Sequence, residues 1–235
     1  MKTVLISFFM VASVLAETLK GTAKNDRGVI VYSEIHNVER SSDGLTKKVT
    51  TTYFKPDGTQ FGHLISEFNE RLFIPDSEFK DLRFGRKYLG KVQVKEKRSV
   101  YVIEEFQNEK LVKTSEVELK DDLISGPGFD NFISQQIVKA KKTKLPVHFL
   151  VLPRHSDYRF NVSSIETDSV DTRKYKIKPA TLLSLFVKEI VITYEGKEGL
   201  LKRYEGLSNL PADSDESQNV VIDYEKIEDA QKGAK

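Results

Sequence analysis

The sequence contains no cysteine and no tryptophan, and only two methionines in 235 residues. Without cysteine there is no disulfide, no thiol nucleophile, no thiolate metal ligand and no lipid-modified N-terminal cysteine. Neither sign of charge dominates, with 37 Lys and Arg against 35 Asp and Glu. Such a chain has no global field to gather nucleic acid, so no nucleic-acid partner is expected. At 39% apolar and 31% charged residues it is too apolar and too evenly charged for intrinsic disorder. Catalytic signatures are missing too. There is no Gly-x-Ser-x-Gly elbow, no phosphate loop and no Gly-x-Gly-x-x-Gly, and the four histidines show no HxH, HExxH or HxxxH spacing. No catalytic residue, cofactor or metal is therefore expected, and a binding protein is favoured over an enzyme.

Residues Met1 to Ala16 read MKTVLISFFMVASVLA. Lys2 is a minimal positive region, Val4 to Ala12 is apolar except for Ser7, and Val14 and Ala16 occupy the small-residue positions before a cleavage point. This predicts a signal peptide, cleaved after Ala16. The run is too short to span a bilayer, which takes roughly 20 apolar residues, and no later stretch could cross as a helix. No transmembrane span is expected once the signal is removed. A cysteine-free exported chain of this size fits a bacterial periplasm better than a eukaryotic secretory route.

The remaining chain, 17–235, reads as a single β-rich domain. Gly28 to Arg40 and Leu45 to Lys55 are rich in β-branched residues and are separated by Ser41-Ser42-Asp43-Gly44, a turn cluster. Pro56-Asp57-Gly58 turns the chain into Gln60 to Phe68, and Asn25 to Gly28 turns a short first strand into the second. Further strands are predicted over Tyr88 to Lys97, Ser99 to Gln107 and Lys110 to Leu119, with a tight turn at Asn108-Glu109. Strand signals resume at Val147 to Leu152, Tyr158 to Glu166, Phe186 to Tyr194, Leu200 to Gly206 and Val220 to Tyr224. Long antiparallel strands twist, so the predicted fold is mainly β, a meander curled into an open or partly closed barrel. One amphipathic helix is expected at about 128–140, with Phe129, Phe132, Ile133 and Ile137 on one stripe. It could lie on the open face of the sheet. Residues Pro211 to Gln218 read as a mobile acidic loop and Ala230 to Lys235 as a frayed end.

One local pattern carries chemistry. Tyr32, Glu34 and His36 alternate along one strand and share a face. The row could bind a polar ligand head, hold a metal with outside help, or act as an acid–base pair. It supplies only two metal ligands, where a site needs three or four. A solvated strand face is the simpler account, because antiparallel sheets commonly keep one face wet. On that account His36→Ala costs less than about 0.5 kcal/mol. The segment Leu152 to Phe160, with Arg154, His155, Tyr158 and Arg159, is either a rim for anionic groups or an ordinary surface loop. The basic run Arg86 to Arg98 is read as an edge strand protected by lysines.

The segments Gly28 to Glu39, Tyr53 to Gly58, Gly128 to Phe132 and Leu201 to Asn209 carry a resemblance in outline. A signal peptide, long meandering strands, one helix after half of them and a closing set of strands resemble the bacterial lipoprotein-carrier and lipoprotein-localisation fold. The resemblance implies an open curled sheet that holds acyl chains in its concavity. It transfers no binding residue. The expected function is non-catalytic binding of an amphiphile, a lipid or another envelope component. An envelope enzyme with a polar cleft and a protein-interaction module are the alternatives.

Overall fold

Turn chemistry sets the first hairpins. In the computed structural model, which describes residues 15–69, 71–96, 98–180, 189–196 and 199–227, β1 (Leu15–Lys24), β2 (Ile30–Arg40), β3 (Thr46–Phe54) and β4 (Gln60–Glu67) form a meander. Gly44, at φ 82°, closes the Ser41 turn with its N–H on Ser41 O at 2.9 Å. β5 (Asp76–Asp81), β6 (Arg86–Lys95), β7 (Arg98–Gln107) and β8 (Lys110–Glu118) extend the meander to one edge. Asn108 and Glu109 both take positive φ, 48° and 63°, the two-residue turn that matches strand twist.

β9 (Leu123–Ser125) starts the second half, followed by β10 (Lys144–Val151), β11 (Ser156–Ile165), β12 (Thr172–Pro179), β13 (Ile190–Glu195), β14 (Leu200–Leu207) and β15 (Asn219–Ile227). The described strands make one open sheet in the order β8 down to β1, then β15 down to β9. Every pairing is antiparallel except β9 with β10. The first and last strands therefore lie side by side in the middle of the sheet, and the two free edges belong to strands joined by a short mid-chain loop. The segment read as a signal peptide lies outside the described residues apart from Leu15 and Ala16, which pair with Arg40 and Glu39. The C-terminal stretch 230–235, Lys97 and the predicted strand start at 186–188 also lie outside them.

The expected helix is found. α1 (Phe129–Phe132) runs on as a π-helical stretch, Ile133–Lys139. Phe129, Phe132, Ile133 and Ile137 are all buried, as the stripe requires, and pack on Val147, Val162, Ile177 and Ile192. Buried Asn131 fixes the helix to β3. Its amide donates to Thr46 O and Leu72 O, both at 3.0 Å, while its oxygen accepts from Thr46 N at 2.8 Å.

One expectation is corrected. The basic run does not form an edge, since β6 is paired on both sides by β5 and β7. Its charges are instead matched across strands: Lys95 and Arg98 meet Glu116, and Lys87 meets Glu109. The acidic loop lies beside three arginines, with Asp213 on Arg83, Asp215 on Arg86, and Ser217 accepting from Arg154.

Candidate functional site

The curl brings distant strands around one interior. Glu34 and His36 of β2 line the same cavity as Ile177 of β12, Ile190 and Ile192 of β13 and Phe149 of β10. That cavity measures about 190 Å³, and a larger neighbour measures about 420 Å³. The two share Phe149, Ile177, Ile190, Ser208 and Asn209 in their walls. The helix touches the smaller one through Phe129 and Asp130, and among the described residues none of the helix 129–139 lines the larger one.

The Tyr32, Glu34, His36 row faces this interior, so the wet-face reading is overturned. Tyr32 and Glu34 are 4% and 5% exposed. The cause is tertiary: the covering helix and the far wall of the curled sheet select this face, and no local pattern could. The hairpin partner strand is as expected, with Glu34 opposite Tyr53 and His36 opposite Thr51. The two side chains lean together, and His36 Nε2 donates to Glu34 Oε1 at 2.9 Å. The same oxygen accepts from Tyr224 Oη at 2.6 Å. A hydrogen bond to a carboxylate oxygen places a proton on Nε2. On the other side of the ring Nδ1 shares a hydrogen bond of 3.0 Å with Thr51 Oγ1, which can accept from it or donate to it.

Gly21 makes this contact possible. It lies on β1 between Glu34 and Tyr224, opposite both. A Cβ there would stand 2.8 Å from the Tyr224 ring and 2.9 Å from Glu34 Cγ. Burial, and then the Glu34 charge, hold the Tyr224 hydroxyl un-ionised well above the ordinary tyrosine range. Tyr32 and Tyr53 are raised by the same causes in the same order.

No family model matches the chain, and no curated protein matches it.

The arrangement recurs elsewhere. His155 Nε2 donates to Glu105 Oε2 at 2.9 Å, Ser115 Oγ and His155 Nδ1 are hydrogen-bonded at 2.8 Å, and Tyr88 Oη donates to Glu105 Oε1 at 3.1 Å. Each quartet is tyrosine, glutamate, histidine and a hydroxyl residue. In each the tyrosine ring meets the imidazole edge-on, with centroids 5.6 Å apart for Tyr224–His36 and 6.0 Å for Tyr88–His155. Tyr32, Tyr53, Phe79 and Tyr88 form a run of ring contacts that ends in the second quartet, at centroid spacings of 6.4, 6.3 and 6.1 Å. Burial and then Glu105 push the Tyr88 hydroxyl up to about 12.

The larger cavity has a mixed lining. Arg86, Arg154 and Asp215 are its outer, partly exposed charged groups, Asp81 and Glu105 lie further in, and Phe79, Phe149, Val151, Phe160 and Leu207 supply apolar wall. Arg154 and His155 were visible in the sequence as part of a possible rim. Tyr224, Ser115, Glu105 and Asp215 were not, because each reaches the site through pairings between distant parts of the chain. Among the described residues no three His, Asp or Glu side chains converge as metal ligands do. No helix among them is long and apolar enough to cross a membrane.

Proposed function

We propose that the protein binds an amphiphile in its concavity without catalysis, as an exported binding or carrier protein of a bacterial envelope. One observation carries the reading: a cavity whose lining joins apolar side chains such as Phe149, Phe160, Ile177 and Ile190 to the charged Arg86, Arg154 and Asp215. The volume of about 420 Å³ falls within the range of small-molecule sites, roughly 300–1,000 Å³. Phe149, Phe160, Ile177 and Ile190 supply apolar contact for a tail. Tyr32, Glu34 and His36 supply polar contacts deeper in. Export rests on the signal-like first sixteen residues. Cleavage after Ala16 leaves Glu17 to Lys24 of β1 still paired with Val38 to Ile30 of β2. It also keeps Glu17, whose carboxylate accepts from Arg40 at 2.6 Å.

The test is titration with a dansylated fatty acid, read as a blue shift and rise in emission. Ile190→Trp, which fills the space shared by both cavities, should abolish the signal and leave thermal melting intact. Equal binding by wild type and Ile190→Trp would remove the cavity from the account. A second reading, an envelope hydrolase, rests on Ser115, His155 and Glu105, whose order is that of nucleophile, base and orienting acid. Covalent labelling of Ser115 by a fluorophosphonate would favour it.

A further inference from the structure

We infer that the mouth of the larger cavity is a binding site for an anionic head group, a carboxylate or a phosphate monoester, held by Arg86 and Arg154, and that Asp215 of the chain's own acidic loop fills that site in its place. The inference rests on the amphiphile reading and adds the class of head group and an internal competitor to it.

Two arginines, Arg86 and Arg154, line the cavity, and a third, Arg83, is held behind Asp81. Arg83 is committed to the fold: it donates to Asp81 at 3.0 and 2.6 Å, its side chain is only 10% exposed, and its guanidinium lies 4.2 Å from the centre of the Phe61 ring. Arg86 presents its two Nη atoms side by side, and both oxygens of Asp215 take them, at 2.7 and 2.6 Å. That is the geometry in which arginine receives any free carboxylate or phosphate. Arg154 has no carboxylate within ion-pair distance among the described residues and donates only to Ser217 Oγ, at 3.4 Å.

The competing carboxylate is within reach of solvent, with the Asp215 side chain 41% exposed. A ligand carboxylate or phosphate would take the same two Nη donors, so exchange trades one bidentate anion for another and leaves Arg86 partnered. The turn that carries it has its own hydrogen bonds, Ala212 N to Glu216 O at 2.8 Å and Asp215 N to Ala212 O at 2.9 Å. Neither depends on Arg86. The other acids at the mouth are occupied, Asp81 by Arg83 and Glu105 by His155 and Tyr88. With Asp215 displaced, Arg86 and Arg154 are the two cations left facing the cavity without a carboxylate.

Calorimetric titration with dodecyl phosphate, dodecanol and inorganic phosphate, each amphiphile below its critical micelle concentration, tests this on wild type, Asp215→Asn, Arg86→Gln and Arg154→Gln. Asp215→Asn should bind dodecyl phosphate ~3- to 10-fold more tightly, because the internal competitor loses its charge. Arg86→Gln and Arg154→Gln should each bind it about 10-fold more weakly. Dodecanol should bind all four proteins alike, and inorganic phosphate should bind far more weakly than dodecyl phosphate. Dodecyl phosphate affinity unchanged in Asp215→Asn and in both arginine variants overturns the head-group site while leaving amphiphile binding in place. Inorganic phosphate binding as tightly as dodecyl phosphate overturns the amphiphile reading and leaves a plain anion site. No binding of either dodecyl compound overturns both.

Discussion

The His36 and His155 quartets use the same four kinds of side chain for different work. At His36 the strands are already joined by backbone hydrogen bonds, since β2 is paired by β1 and β3. The quartet adds no connection there; it places polar atoms on the inner wall of a cavity. At His155 no strand ladder joins the two ends of the sheet. Ser115 is on the edge strand β8, Glu105 is next to it on β7, and His155 comes from the turn between β10 and β11. There the side chains join what the backbone leaves apart, helped by Lys120 on Asp157 at 2.8 Å. The lesson is that one polar constellation can line a site or close a seam, and backbone pairing around it decides which.

The burial of the partners separates the two further, although the His155 ring itself, at 4% exposed, is more enclosed than that of His36, at 19%. Thr51 is 1% exposed and Glu34 5%, whereas Ser115 and Glu105 are half-buried. Removing His36 strands two buried partners, but removing His155 leaves partners that water can reach. We expect His36→Ala to cost about 2–3 kcal/mol in urea unfolding and His155→Ala about 1 kcal/mol. A cost at His36 under about 0.5 kcal/mol, the surface value, would erase the distinction.

The tyrosines sharpen it. Tyr224→Phe removes a short bond to a buried carboxylate and should cost about 1–2 kcal/mol, while Tyr88→Phe should cost less than about 1. Their ionisation should be ordered likewise. A tyrosine raised in the folded state contributes stability that is complete below its unfolded value near 10 and is lost as pH climbs toward the folded value. Tyr88 should ionise near 12 and Tyr224 later, together with unfolding. Difference absorbance titration of the two Phe variants against wild type reads this directly; Tyr224 ionising before Tyr88 would reverse the assignment.

A further comparison isolates backbone strain. His155 sits at φ 55°, a left-handed conformation for a residue with a Cβ. His155→Gly and His155→Ala both delete the imidazole, yet the glycine variant should be the more stable by about 1 kcal/mol. Equal melting of the two would mean that the turn relaxes once the ring is gone.

Much of the meander was legible because its turns are local. Ser41 to Gly44, Pro56 to Gly58 and Asn108-Glu109 each join neighbouring strands. The helix stripe at Phe129, Phe132, Ile133 and Ile137 was legible for the same reason. β5 was missed because Asp76 to Asp81 carries one apolar residue, Phe79. β9 has three residues and leaves no period to read. β12 does alternate, with Tyr175 and Ile177 buried between lysines, but Lys174, Lys176 and Lys178 mask a half-buried strand as a basic loop. The site was legible only as a shared face of Tyr32, Glu34 and His36. Which side of the sheet that face looks toward depends on the pairing of β1 with β15 and on the helix, and both are long-range.

Native mass spectrometry of the protein purified without detergent from its own envelope tests the binding reading most directly. The account predicts a copurifying mass of lipid size on the wild-type protein that is lost in Ile190→Trp. A wild-type spectrum that repeatedly carries no such mass, or an adduct that persists in Ile190→Trp, would contradict it.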